Sequence, residues 1–249
     1  DEIDKIVLDE EFKSIESTVT ENIDNNKINL VFEIKEVEKY SLRRINIFGN
    51  NITQENVIRN QLLIDEGDEF NSILANKSIN NIQSLGIFKD VSKKIVTDET
   101  EKTKSIDITV QEKATGEIVA GAGFGTDGST LSFAVKENNY LGTGVKLDSS
   151  LTVSTDTIKG KFSVVNPNYK NSDKSLYTLV QALETDRFKN SGYKSNKMGF
   201  GFGTNFEYQD DFYLGIGQNS FYERIETNST ASARQKAQKG NYWDTFLNL

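Results

Sequence analysis

The sequence predicts two structures in succession: an α+β domain of order β-α-α-β-β, then about seven or eight antiparallel strands of a transmembrane β-barrel. Three observations carry this. Up to residue 115, strand-like runs such as Leu42–Phe48 alternate with helix-spaced apolar residues such as Val57, Ile58 and Leu62. Beyond it, apolar and polar residues alternate with a period of two as far as Leu249. Between the two lies Gly116–Gly128, read as Gly-Glu-Ile-Val-Ala-Gly-Ala-Gly-Phe-Gly-Thr-Asp-Gly. Glycine packs no side chain and costs backbone entropy, so a strand of this composition is thin and weakly held in register.

Composition narrows the function classes. No run of eighteen apolar residues exists, so no helix of this chain is long and apolar enough to cross a bilayer. Strands need only about 9–11 residues each, and their alternation is diluted in an average of 36% hydrophobic residues. The net charge of −8 argues against nucleic acid as a partner. Cysteine and histidine are both absent, which removes disulfides, thiol chemistry, the usual zinc sites and the commonest general base. The chain opens on Asp-Glu-Ile-Asp without a signal peptide, so a membrane-barrel reading implies an internal fragment.

Residues 1–12 are acidic and weakly patterned, compatible with a partial helix. Lys13–Val19 and Ile28–Lys35 flank the Asn- and Asp-rich Asn22–Lys27 and read as a hairpin. Leu42–Phe48 is the next strand, ended by Gly49-Asn50-Asn51. Thr53 is the expected N-cap of a helix from Gln54 to about Leu63 that buries Val57, Ile58 and Leu62. Asp65-Glu66-Gly67-Asp68 closes it. Asn71 caps a second helix to about Leu85, with Ile73, Leu74, Ile79 and Ile82 inward and Gly86 at the left-handed C-terminal position. Strands Val91–Thr97 and Ser105–Glu112 follow, joined by a charged turn.

In the second half, Leu131, Phe133 and Val135 alternate with Ser132, Ala134 and Lys136. The same pattern recurs over Val145–Val153, Ile158–Val164, Met198–Glu207 and Phe212–Gly217, and a last strand begins at Tyr242-Trp243. Leu176–Glu184 is less clean, with apolar residues on both faces. A soluble sandwich shows the same alternation. Three features favour the membrane. Connections at one end include the long polar segments Asp186–Asn196 and Glu226–Gly240, whereas Asn138–Gly144, Asn166–Lys174 and Gln209–Asp211 at the other are shorter on average. Tyr140, Tyr169, Tyr208 and Phe212 gather at that second end, where an interfacial girdle belongs. The only proline, Pro167, sits in a turn.

Several segments carry a resemblance. Ile45-Asn46-Ile47-Phe48-Gly49-Asn50, Ile64-Asp65-Glu66-Gly67, Ser84-Leu85-Gly86-Ile87-Phe88-Lys89-Asp90-Val91 and Val110-Gln111-Glu112-Lys113 resemble a POTRA domain, the periplasmic repeat of the BamA family of outer-membrane protein assembly factors. Gly121-x-Gly123-Phe124-Gly125-Thr126, Asn138–Gly144 and Val165-Asn166-Pro167-Asn168-Tyr169 look like the opening strands and turns of that family's barrel, in the same order. The resemblance implies residues 1–38 as the end of a preceding POTRA domain, 39–114 as the last POTRA domain, and 115–249 as the first half of a sixteen-stranded barrel.

The implied activity is mechanical rather than enzymatic, with no cofactor. The first barrel strand, Gly116, Ile118, Val119, Ala120, Gly121, Ala122, Gly123, Phe124 and Gly125, would pair with the strand of an incoming outer-membrane protein by β-augmentation. Its glycines either make that edge pliable or relieve crowding inside the barrel. POTRA strand edges would offer a second platform, and the acidic turn Asp65, Glu66, Asp68 and Glu69 a docking point for an accessory lipoprotein. Implied partners are unfolded outer-membrane proteins, accessory outer-membrane lipoproteins and outer-membrane lipid; the implied location is the outer membrane with the POTRA part in the periplasm. A secretion transporter of the same superfamily and a passive barrel with a periplasmic anchor are the competing readings. The paired acids Asp98-Glu99 and Asp210-Asp211 read as solvated turn charges. The glycine stretch lacks the lysine and helix of a phosphate loop.

Overall fold

The computed structural model describes residues 15–24, 27–36, 38–125, 128–209 and 212–249. The expected partial helix at residues 1–12 and the acids Asp210-Asp211 lie outside them. The chain divides into two units at Ala114/Thr115.

In the first unit, β1 (Ile15–Asp24) and β2 (Lys27–Glu36) form an antiparallel hairpin paired from Ile15↔Glu36 to Asp24↔Lys27. The Asn- and Asp-rich segment expected as a loop is therefore mostly strand, because ladder hydrogen bonds satisfy its backbone better than a loop would. Next come β3 (Ser41–Phe48), α1 (Glu55–Arg59), α2 (Ser72–Ser84), β4 (Phe88–Asp98) and β5 (Thr103–Glu112). The sheet order is β3-β5-β4, with β3 parallel and β4 antiparallel to β5. Leu42, Ile45, Ile58, Ile82, Phe88, Ile106, Ile108 and Val110 form the core between sheet and helices. Burying each such side chain stabilises the fold by about 1.5–3 kcal/mol.

Asn71 caps α2 as expected, its side chain accepting from the N–H groups of Ile73 and Leu74. Gly86, at φ 70°, follows the helix in the left-handed region. Thr53 does not cap α1. Gln54 occupies the cap position without a side-chain bond, and α1 ends at Arg59 rather than near Leu63. Past Arg59, Gln61 bonds back to Ile58 and Leu62 to Arg59, a tighter winding that turns Leu62 onto the core. Thr53 is instead buried, turned towards Glu112.

The second unit is one antiparallel sheet of eight strands in sequence order. They are β6 (Gly116–Gly125), β7 (Gly128–Tyr140), β8 (Val145–Ser154), β9 (Thr157–Asn166), β10 (Ser175–Arg187), β11 (Tyr193–Gln209), β12 (Phe212–Thr227) and β13 (Gly240–Asn248). Register lines up the more apolar face of each strand, with Ala120↔Phe133↔Leu151↔Gly160↔Ala182↔Met198↔Tyr222↔Trp243 as one continuous row, while Val119, Leu179, Leu183, Phe221 and Phe246 lie on the other face. The opposite face carries Lys136, Asp148, Lys161, Glu223 and most of the glycines, as an incomplete barrel with lipid outside and water inside requires.

The long polar loop expected at Asp186–Asn196 is absent. β10 runs to Arg187, β11 starts at Tyr193, and only the short helix α3 (Phe188–Ser191) lies between. Lys194 Nζ lies 2.8 Å from Glu184 Oε1 and 3.2 Å from Asp186 Oδ2. These charges pair across two strands, so polar composition here marks strand, not loop. The other long connection contains α4 (Ala233–Ala237), closed at its start by a capping box of Ser232 and Gln235.

Candidate functional site

β6 is an edge strand whose only partner among the described strands is β7. Antiparallel strands direct alternate backbone groups to each side, so half of its N–H and C=O groups point away from β7. Every residue of β6 is exposed, and Phe124 is 90% exposed. Ala120 and Ala122 are too small to cover their neighbours, and a hollow of about 440 Å³ opens there against Leu131, Phe133, Leu151 and Val153.

The sheet contains two kinds of glycine. On β11 and β12 a Cβ at Gly199 would overlap the ring of Phe221, one at Gly201 the amide of Asn219, and one at Gly217 the Tyr177 hydroxyl. At Gly203 it would stand 2.5 Å from the Tyr177 ring and 2.6 Å from the Ile216 carbonyl oxygen. These glycines are seats for side chains lying flat on the inner wall, which explains the apolar residue Tyr177 on the inner face of β10. Aromatic cover over strand glycine pins register. On β6 the reverse holds. Nothing lies within 4 Å of a Cβ at Gly123 or Gly125, and Gly121 meets only the flexible Ser132 Oγ at 3.0 Å.

The apolar band also differs along the sheet. On β12 the apolar run Phe212, Leu214 and Ile216 is followed on the same face by Gln218 and Ser220 before Tyr222 and Arg224. On β6 it runs from Ile118 to Phe124, about 20 Å, bounded by Gly116 and its partner Glu137.

The aromatic positions Tyr140, Tyr169, Tyr208 and Phe212 all fall at one end of the sheet, at the ends of β7, β9 and β11 and the start of β12, and each is at least partly exposed. Tyr208 and Phe212 meet edge-on, ring centroids 6.3 Å apart. A second pair, Tyr222 and Trp243, also 6.3 Å apart, lies towards the opposite end and was not singled out from the sequence.

In the α+β module the two sheet edges are unequal. The turn containing Asp65, Glu66, Asp68 and Glu69 folds back on β3: Gly67 donates to Leu42 O at 2.7 Å, Leu42 to Asp68 O at 2.7 Å, and Phe70 to Tyr40 O at 2.7 Å. Glu66 Oε1 accepts from the Ile45 N–H at 2.9 Å, Asp68 Oδ2 from the Asp65 N–H at 2.9 Å, and Glu69 pairs with Lys39 at 3.4 Å. Three of the four acids thus close the β3 edge. The other edge, β4, pairs among the described strands with β5 alone. On it Lys93 is half-buried, its ammonium reaches the amide of Asn76 and no other side chain among the described residues, and burial pushes it below the usual lysine range.

Two of the resembling segments lock together. Gly49 (φ 88°) lies against the Val110 carbonyl, where any Cβ would overlap. Glu112 accepts from the N–H groups of Asn51 at 3.0 Å, Ile52 at 3.0 Å and Thr53 at 2.6 Å. Burial alone would raise the Glu112 carboxyl, but these bonds and the Thr53 hydroxyl hold it below the usual glutamate range.

The POTRA family model, described as a surface antigen variable number repeat, matches residues 40–113. The BamA outer membrane protein assembly factor of Neorickettsia risticii is 26% identical over 205 residues, 81% of this chain and 27% of that protein. The BamA of Buchnera aphidicola is 35% identical over 134 residues, 52% of this chain and 22% of that protein. Among solved structures, Haemophilus ducreyi BamA lacking POTRA domains 1–3 aligns with 99% of this chain and 50% of that one, at TM-score 0.68 and 18% identity. CdiB of Acinetobacter baumannii aligns with 98% of this chain and 45% of that one, at TM-score 0.52 and 11% identity. The chain therefore spans about a quarter of the curated relatives it matches. Proteins of this type lie in the outer membrane with their POTRA domains in the periplasm, and this chain is placed there with them. Residues 40–113 match the POTRA family, and the antiparallel sheet that follows them has the fold of the strands that follow the POTRA domains in BamA, the outer membrane protein assembly factor to which the chain is similar.

Proposed function

We propose that this chain serves the assembly of outer-membrane β-barrel proteins, with β6 as the strand to which a client strand pairs. The observation that carries the reading is β6 itself: a fully exposed edge whose inner-face glycines Gly123 and Gly125 seat nothing. Glycines that relieve no crowding leave an edge with little packing energy and a deformable backbone. In a bilayer an unpaired edge is costly, so exchange of one partner strand for another is favoured over opening.

Residues 1–38 are proposed as the end of a preceding POTRA domain and 39–114 as the last one, with unfolded outer-membrane proteins and outer-membrane lipid as partners. β4, the open edge of the POTRA sheet, is the second docking platform. Of the acidic turn proposed to bind an accessory lipoprotein, Asp65 is the side chain best placed for it, since Glu66, Asp68 and Glu69 hold β3 and its flank.

A photoreactive residue at Val119 tests the reading. In the whole protein it is expected to trap the last strand of a client during assembly. Capture of the protein's own last strand alone, whatever the client load, would overturn it. Capture of a soluble passenger instead would favour a secretion transporter.

A further inference from the structure

We propose that β4 selects among the extended strands that dock on its open edge, admitting those that place a carboxylate beside Lys93. This rests on the reading of β4 as a docking edge. The inference starts from register. Val91, Lys93, Ile95 and Thr97 share the face of β4 that turns towards the helices, opposite Val110, Ile108, Ile106 and Lys104 of β5. Ile106, Ile108 and Val110 are buried in the core, so Lys93 stands in an apolar row, between Val91 and Ile95 and across from Ile108. The next residue shows the contrast: Lys94 lies on the other face, directly opposite Asp107. Opposite Lys93 stands Ile108, and no acid pairs with it among the described residues. Its side-chain partner is the neutral amide of Asn76 on α2.

A strand added to β4 would set a side chain about 5 Å from Lys93 and complete the covering of its ammonium. An apolar side chain there would leave a charge buried without a counter-ion, which is strongly unfavourable. A carboxylate at the same place supplies the counter-ion and a charge-assisted hydrogen bond. An inward-pointing charge on an edge strand ordinarily blunts indiscriminate pairing. Here the same charge leaves one class of strand unpenalised: an extended segment of alternating apolar residues interrupted by Asp or Glu on the helix-facing side. The occupant is an acidic strand of a partner polypeptide, recognised through backbone pairing and one ion pair.

The chain has no native cysteine, so a single cysteine at the exposed Ser92, on the face away from Lys93, reports docking at β4 by disulfide capture. Fluorescent ten-residue strand peptides carrying a central Glu or Gln and a cysteine next to it are titrated against the whole protein in lipid nanodiscs. The Glu peptide is expected to bind about tenfold more tightly than the Gln peptide. Lys93→Gln should remove the difference, Lys93→Arg should keep it, and Lys93→Glu should transfer the preference to a Lys peptide. Equal binding of Glu and Gln peptides with Ser92→Cys capture intact would overturn the selection and leave the docking edge standing. Failure of every peptide to be captured there would overturn the docking edge and the selection with it.

Discussion

The glycines of β6 and of β11 predict opposite responses to the same substitution. At Gly203 a methyl group would stand 2.5 Å from the Tyr177 ring and 2.6 Å from the Ile216 carbonyl oxygen. Tyr177 cannot tilt away freely, because its hydroxyl lies over Gly217. Overpacking of this kind costs about 1–3 kcal/mol, and the entropy gained in the unfolded chain returns only about 0.4–1 kcal/mol. Gly203→Ala should therefore destabilise the sheet by roughly 1–2 kcal/mol. At Gly123 the methyl group meets nothing within 4 Å, so Gly123→Ala should leave stability unchanged or raise it by about 0.5–1 kcal/mol. Urea unfolding in detergent, followed by heat-modifiable gel mobility, separates the two. Gly123→Val should then slow client assembly about two- to fivefold, because a β-branched residue stiffens and strengthens the β6–β7 pair. Equal destabilisation by Gly203→Ala and Gly123→Ala would refute the distinction between seated and open glycines. Unchanged assembly by Gly123→Val would refute pliability as the working property of β6.

The POTRA lock makes two further predictions, both read by amide hydrogen exchange of β5 in the intact protein. Glu112→Gln should lower the protection of β5 by about 1–3 kcal/mol at neutral pH, since a charge-assisted cluster is replaced by neutral bonds. The folded Glu112 carboxyl titrates below the ordinary value of 4.5, so its stabilisation is fully present above that pH and is lost as the pH falls through the folded value. Glu112→Gln should flatten that part of the acid dependence. Gly49→Ala, forced to φ 88° and against the Val110 carbonyl, should cost more than about 2 kcal/mol.

Much of the fold was legible because its signals are local or periodic. Alternation assigned the apolar face of the sheet strand by strand, and register carried that face across all eight strands. Asn71 and Gly86 worked as cap and stop because each acts through its own backbone. The errors came where a distant partner decided. Thr53 looked like a cap, yet Glu112, 59 positions away, takes its N–H. Asp186–Asn196 looked like a loop, yet Lys194 finds Glu184 and Asp186 across the hairpin. The site was less legible than the fold. A strand glycine looks the same in sequence whether or not a side chain sits on it, and only the positions of Tyr177, Asn219 and Phe221 separate seats from open backbone. Lys93 gave no signal, because a lysine in a strand is unremarkable until the face it shares and the acid it lacks are known.

Edge strands are usually blunted, and this chain blunts them selectively. The β3 edge is closed by a turn whose N–H, C=O and carboxylate groups take up its backbone. β10 and β11 are pinned by Tyr177 over glycine and by the Lys194 ion pairs. β6 and β4 receive neither treatment. An edge left open by default would be a hazard of aggregation, and the two differ in how they meet it. β6 presents only the small Ala120 and Ala122 at the middle of its apolar face, so an indiscriminate apolar strand gains little packing by lying beside it. β4 lies in water and carries a half-buried cation that penalises any strand lacking an acid. One open edge is restrained by its thin packing and the other by its charge. A client handed from β4 to β6 would therefore meet a chemical test before a mechanical one.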